Sequence, residues 1–217
     1  MPEPRIQPRP LLLIGVIALV AFAGGVYLAL TTQSRGTPSI TGLLWPDPPV
    51  LGHFELTSMT GTPLTEQALR GHWTLVFFGF THCPDVCPTT LASLKTVVAT
   101  LHDFTPFAAH HQVLFISVDP ARDHAAQLKQ YVTYFDPSFI AATGEADALD
   151  NATHQFGVIY TKVATADPRN YTVDHTASLF LVDPTLKLVG VFSPPHDAAD
   201  ISQRIRGIVE FVSQQAP

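Results

Sequence analysis

Cysteine is scarce in this sequence: the 217 residues contain only Cys83 and Cys87, with three residues between them. This scarcity excludes the disulfide framework that holds many small secreted domains together. It also excludes a structural zinc site built from cysteine alone, because such a site takes four ligands. A disulfide between two such close neighbours closes too short a loop to contribute much stability. Any thiol chemistry of the chain therefore belongs to one place.

Basic residues are few as well, with 12 Lys and Arg against 18 Asp and Glu and a formal net charge of −6. Nucleic-acid-binding domains usually present a basic patch or stripe to their ligand. The acidic balance of this chain is the opposite of that pattern. We therefore expect no nucleic-acid partner.

Charge is absent altogether from Leu11 to Leu30. A helix of about 20 residues is about 30 Å long, which is the thickness of a bilayer core. We predict that residues 11–30 form one transmembrane anchor, because the run is longer than the apolar part of a signal peptide and ends in a poor cleavage site. Arg5 and Arg9 precede the run and Arg35 follows it, which predicts a cytoplasmic N-terminus at residues 1–10 and a remainder outside the cytoplasm.

Proline is frequent in residues 31–50, at Pro38, Pro46, Pro48 and Pro49. Such a composition stays extended and solvated, so we predict a linker here. Residues 51–217 then have the size of one ordinary domain.

Hydrophobic patterning within residues 51–217 predicts an α/β domain. Strands are expected in an opening hairpin at 54–63, then at 75–80, 113–118 and 139–141, and in a second hairpin at 179–182 and 188–192. Helices are expected after the cysteines, after an N-cap at Asp123, from Glu145 to a stop at Gly157, and after an N-cap at Asp197. This order predicts a thioredoxin-like fold, a central mixed sheet flanked by helices with an inserted strand and helix.

The cysteines follow the most apolar predicted strand and precede the helix expected from Val86. This places them at the carboxyl end of a sheet, where open α/β folds bind ligands. Helical periodicity puts the two sulfurs on one side, about one turn apart, and a helix N-terminus stabilises thiolates. The pair can therefore form a disulfide, act as a redox pair or bind a metal ion. The Cys-x-x-x-Cys spacing disfavours the redox pair, because thioredoxin-like oxidoreductases have Cys-x-x-Cys.

A histidine is expected opposite the cysteines. In thioredoxin-like folds the loop that leads into the second hairpin faces the cysteine turn, and here that loop is 173–176. Thioredoxin-like oxidoreductases resemble one another in placing a cis-proline in this loop, whereas this chain has His175.

Five segments of the chain carry a family resemblance: 79–90, 117–123, 128–131, 173–176 and 180–184. Together they resemble the Sco/SenC family of copper proteins for cytochrome c oxidase assembly, over about residues 50–212 and including the anchor topology. The resemblance implies that Cys83, Cys87 and His175 bind copper. Two thiolates and one imidazole are a soft, three-ligand set that suits Cu(I), while a working state of Cu(II) stays open.

Two carboxylates flank the implied ligands. Asp85 lies inside the cysteine turn and Asp174 lies beside His175. They are candidates for orienting the ligands or guiding a partner, with a capping or solvated turn carboxylate as the alternative for each. Among the other histidines, His82 is a weak candidate for a fourth ligand and His196 a weaker one.

The resemblance implies a membrane-anchored copper chaperone that takes copper from an upstream donor and delivers it to the binuclear copper site of cytochrome c oxidase subunit II. It implies a bacterial inner-membrane location with the domain in the periplasm or on the outer face, and no enzymatic turnover. The alternative is an enzyme, a thiol-disulfide reductase in which Cys83 and Cys87 keep the partner's cysteines reduced. A peroxidase is disfavoured, since Phe80 and Pro84 occupy the positions where peroxiredoxins resemble one another in having Pro and Thr.

Overall fold

The computed structural model describes residues 9–31, 40–165 and 171–215, and within the first range it describes side chains for residues 14–26 only. The chain divides into two compact units at the junction of Ser39 and Ile40.

In the first unit, the described residues form the helix α1 (Arg9–Thr31). Within the described residues, no helix is both long and apolar enough to cross a membrane. The anchor predicted at residues 11–30 is therefore not confirmed by the structure. The predicted cytoplasmic stretch before residue 9, and residues 32–39 of the predicted linker, lie outside the described residues.

The second unit is built on strands that follow one another as β1 (Glu55–Ser58), β2 (Pro63–Thr65), β3 (Trp73–Gly79), β4 (His111–Ser117), β5 (Ile140–Thr143), β6 (Tyr160–Ala164), β7 (Tyr171–His175), β8 (Leu179–Val182) and β9 (Leu188–Phe192). Seven of them form one sheet in the order β2-β1-β5-β4-β3-β8-β9. The β3, β4 and β5 strands are parallel, and β8 and β1 add antiparallel partners. The sheet is mixed, as the sequence predicts.

Helices connect and cover the strands. They are α2 (Val86–Thr100), α3 (Thr105–Ala108), α4 (Ala125–Phe135), α5 (Ala146–Phe156) and α6 (Ala198–Gln215), with a short 3-10 helix at Glu66–Leu69. The α5 helix ends at Gly157, whose φ of 67° is left-handed and suits glycine. The α6 helix begins after Asp197, whose Oδ1 accepts a 2.9 Å hydrogen bond from the backbone N–H of Asp200. Both predicted helix boundaries are confirmed.

The core lies on both faces of β3, whose seven residues are all buried. Successive side chains of a strand point to opposite faces. Phe77 therefore meets Phe115 of β4 on one face, while Phe78 meets Phe156 of α5 and Phe180 of β8 on the other. Because a strand that is buried on both faces needs apolar residues at successive positions, β3 appears in the sequence as a continuous apolar run.

Part of the predicted linker belongs to the folded unit. The backbone of residues 42–51 runs along β9, with a 2.9 Å bond from Leu44 N to Val189 O and a 2.8 Å bond from Leu188 N to Pro49 O. The ring of Trp45 packs edge-on against Phe211 of α6. Residues from 40 onward thus cover an edge of the sheet, because unpaired edge groups gain hydrogen-bonding partners there.

Two local expectations were wrong. Asp123 does not cap α4, which begins after His124 without a side-chain cap, because the Asp123 carboxylate is buried and accepts hydrogen bonds from Thr81 and Ser117. Residues 173–175 of the loop expected at 173–176 are instead the end of β7, which pairs with β6 in a separate two-stranded sheet.

Candidate metal centre

The two cysteines lie where β3 passes into α2. Both are free thiols; Cys87 is buried and Cys83 is partly exposed. Cys87 packs directly over the end of β3, and a Cβ on Gly79 would come within 2.8 Å of its sulfur. Glycine at position 79 therefore lets the helix start approach the strand closely enough to bury one sulfur.

His175 reaches the cysteines from the end of β7. Its Nε2 lies 3.6 Å from the sulfur of Cys87, and its ring packs edge-on against Phe77 and Phe80. Its Nδ1 lies 3.1 Å from the carbonyl oxygen of Thr176. Since a carbonyl only accepts, Nδ1 donates in this bond, and Nε2 is the ring nitrogen that lies toward the sulfurs.

The three predicted ligands come together as one group. The ligand atoms of Cys83, Cys87 and His175 all lie within 4.8 Å of one another. Sulfur and nitrogen ligands sit about 2.0–2.3 Å from a first-row metal ion, so two ligands of one ion are at most about 4.6 Å apart. The donor set therefore fits a single soft ion such as copper with small side-chain adjustments.

The environment shifts the pKa values of the two cysteines in opposite directions, so that Cys83 favours the thiolate form and Cys87 the thiol form. A hydrogen bond from Cys87 lowers the pKa of Cys83 to about 4, helped by His175 and by the backbone N–H groups of Asp85 and Cys87, although burial acts in the opposite direction. The same hydrogen bond with Cys83, together with burial, raises the pKa of Cys87. Cys83 is thus a ready nucleophile and metal ligand at neutral pH, since the thiolate is the reactive form.

The predicted carboxylates lie beside the ligands rather than among them. Asp85 and Asp174 are both exposed and line a cleft of about 390 Å³ that also reaches Cys83 and His175. Asp85 precedes α2 without making a side-chain capping bond. Its main-chain N–H, and not its carboxylate, supports the Cys83 thiolate. A role for the two carboxylates in guiding a partner stays a prediction.

The two weaker histidine candidates lie outside this group. His82 Nδ1 is 3.1 Å from Thr81 Oγ1 and 3.6 Å from a carboxylate oxygen of Asp123. His196 Nδ1 is 3.0 Å from Thr90 Oγ1 on α2, and burial lowers its pKa. In the described part of the chain, the group of side chains that could hold a metal ion consists of Cys83, Cys87 and His175.

A buried carboxylate behind the site was not recognised from the sequence. Asp123 accepts hydrogen bonds from the Thr81 backbone N–H at 2.8 Å, from Thr81 Oγ1 at 2.6 Å and from Ser117 Oγ at 2.5 Å. These bonds tie the loop before Cys83 to the end of β4. In the sequence, Asp123 stands out only because it belongs to the family-like segment 117–123. That membership does not indicate which residues its carboxylate contacts.

A mixed sheet with two cysteines at the start of a helix, and a histidine facing them, defines a thioredoxin-like domain with a metal-binding ligand set. The family model described as SCO1/SenC matches residues 46–210. The chain belongs to the SCO1/SenC family.

Relatives and solved structures agree with this assignment. A SCO2-like protein of Rickettsia typhi is 31% identical over 208 residues, which cover 93% of this chain and 99% of that protein. The copper-bound structure of ScoI from Arabidopsis thaliana matches with a TM-score of 0.69 and 33% identity, covering 76% of this chain and 99% of that one. The copper-bound structure of yeast Sco1 matches with a TM-score of 0.69 and 34% identity, covering 78% and 92%. The predicted α/β, thioredoxin-like fold is confirmed.

Proposed function

We propose that this protein is a copper chaperone that holds its ion between Cys83, Cys87 and His175. The observation that carries the proposal is the convergence of these three soft donor atoms within 4.8 Å. Two structures of the same fold, those of Arabidopsis thaliana ScoI and yeast Sco1, contain bound copper. A thiolate pair with one imidazole favours copper over the harder ions that prefer oxygen ligands.

We propose further that the copper is cargo, received from an upstream donor and passed to the binuclear copper site of cytochrome c oxidase subunit II. The Sco/SenC resemblance supports this acceptor. The open cleft also supports transfer, because it gives a second protein access to Cys83 and His175. A three-ligand site leaves a coordination position open for an incoming ligand. The ion can therefore be transferred to the acceptor without first being released to solvent.

The second candidate function is a thiol-disulfide reductase. It is favoured by the pKa of Cys83, which is lowered to about 4 beside a thiol whose pKa is raised. Oxidoreductases use such a pair, one cysteine attacking and the other resolving. Both functions use the same sulfurs, and His175 is the residue that distinguishes them.

Copper stoichiometry tests the chaperone proposal. We expect the full chain, purified in detergent, fully reduced and exposed to copper, to retain one copper ion per chain after desalting, as measured by elemental analysis. The control is a Cys83→Ser, Cys87→Ser variant, which should retain almost none, since it offers only His175. Equal retention by the variant would show that the copper lies elsewhere and would overturn the proposal.

We also propose that residues 11–30 anchor the protein in a bacterial inner membrane, with the second unit in the periplasm or on the outer face. The uncharged sequence run and the preceding arginines support this topology. Protease added to intact spheroplasts is expected to remove the domain while cytoplasmic markers stay whole. A domain that is digested only after lysis would contradict the orientation and, with it, the choice of acceptor.

A further inference from the structure

The strand that carries His175 is not part of the main sheet. β6 and β7 pair only with each other in the described sheets, whereas β3, which leads to the cysteines, is central to the seven-stranded sheet. Strand pairing therefore does not set the distance between His175 and the two sulfurs. Other contacts must hold β7 in place, and a copper site depends on them because its three ligands come from these two separate parts.

Arg122 makes such a contact at the opposite end of β7 from His175. Its Nη1 donates a 3.0 Å hydrogen bond to the carbonyl oxygen of Tyr171, the first residue of the strand. Its guanidinium carbon lies 3.7 Å from the centre of the Tyr171 ring. It also lies 5.8 Å from the ring of Phe80, and Phe80 in turn packs against the ring of His175.

Arg122 is itself held by a fully buried carboxylate. Its Nε donates a 2.5 Å hydrogen bond to Asp119 Oδ2, and Asp119 is 0% exposed. The hydroxyl of Tyr171 donates a 2.6 Å bond to the other oxygen of Asp119. Arg122, Asp119 and Tyr171 thus form a closed set of contacts between the β4–α4 loop and β7.

The same loop also holds the cysteine side of the site. Asp123, one residue after Arg122, binds the backbone and hydroxyl of Thr81, two residues before Cys83. Residues 119–123 are therefore bonded both to the segment that carries the cysteines and to the strand that carries the histidine. One loop can set the spacing between them.

We propose that Arg122 is a positioning residue of the metal centre, which fixes β7 so that His175 stays within bonding reach of an ion held by Cys83 and Cys87. This inference rests on the proposed copper binding. Arginine suits the task because its planar fork can bond Asp119 and the Tyr171 carbonyl while its face stacks on the Tyr171 ring. Lysine offers a single charged point and cannot make all three contacts.

The test is Arg122→Lys in the full chain. The variant keeps a positive charge beside Asp119, so it avoids leaving a buried carboxylate unpaired. Loss of a residue that orients a metal ligand typically weakens metal binding by about 10-fold to 100-fold. We expect at least about a 10-fold rise in the copper dissociation constant, measured by competition with a chromogenic chelator, and a weakened nitrogen hyperfine signal in the Cu(II) electron paramagnetic resonance spectrum. The matched control is Arg204→Lys, which alters an arginine paired with Asp200 on α6 and should change neither.

A double-mutant cycle with His175→Ala decides whether Arg122 acts through the histidine. Arg122→Lys should cost little further affinity once the imidazole is gone. Full additivity of the two losses, or copper binding by Arg122→Lys equal to that of the wild type, would overturn the inference. Tyr171→Phe, which loses only the bond to Asp119, is a second variant and should weaken copper binding in the same direction. If His175→Ala itself binds copper normally, the proposed function fails; if it does not but Arg122→Lys does, only this inference fails.

Discussion

Oxidation of Cys83 and Cys87 to a disulfide is expected to remove most of the protein's affinity for copper. A sulfur bonded to another sulfur is no longer a thiolate and cannot serve as a strong ligand. The oxidised protein would retain one of its three donors, His175. The disulfide is within reach, since the two sulfurs lie no more than 4.8 Å apart and neighbours about one helical turn apart fall within the range of Cα separations that disulfides accept.

The measurement compares copper uptake by reduced, oxidised and re-reduced protein, with the thiol content determined in each sample. Copper uptake should fall in proportion to the disulfide formed and return when the disulfide is reduced. Cys87→Ser provides the control, because it cannot form the disulfide within the chain and its weaker copper binding should not respond to mild oxidant. Equal uptake before and after oxidation would rule out this site.

His175→Ala is expected to separate a copper carrier from a thiol reductase. Removing the ring deletes one of three protein ligands, so copper binding should weaken by about tenfold or more. Disulfide exchange should change little, because the largest cause of the low pKa of Cys83 is its hydrogen bond with Cys87 and not its contact with His175. The two readouts are chelator competition and the rate of exchange with a small disulfide.

The same variant discriminates in cells that lack the wild-type protein. His175→Ala should fail to restore cytochrome c oxidase activity at low copper, and added copper should rescue it in part, because mass action offsets a weaker site. Cys87→Ser is the parallel variant and should fail under both functions. Full restoration by His175→Ala at limiting copper, without restoration by Cys87→Ser, would make the protein a reductase.

The main sheet and its helices were predictable because buried strands appear as apolar runs and the helices show apolar residues at helical spacing. β3 and β4 are buried along most of their length and read as unbroken apolar runs. The β6–β7 sheet was not predictable in this way. Four of the five residues of β7 and all five of β6 are at least partly exposed, so these strands lack the alternation that a half-buried strand shows.

The proximity of the three candidate ligands was predictable for a different reason. The two cysteines stand alone in the sequence, and the family resemblance implied His175 as their partner. Asp123 shows where local reasoning fails. An aspartate before an apolar helical run predicts an N-cap, yet its carboxylate binds Thr81, 42 residues away, and Ser117 on the neighbouring strand. These tertiary hydrogen bonds replace the local capping bond, and no pattern in the neighbouring sequence predicts them.

The unequal burial of the two sulfurs predicts the order in which the ligands of the site are replaced. Cys83 and His175 line the cleft, whereas Cys87 is 0% exposed beneath them and packs over Gly79. If the protein carries copper as proposed, an acceptor's ligand arriving through the cleft displaces Cys83 or His175 first. Cys87 is then the last ligand to dissociate from a departing ion, and it is the innermost ligand for an arriving one. Handover would therefore proceed from the surface inward, as an ordered sequence of single ligand replacements.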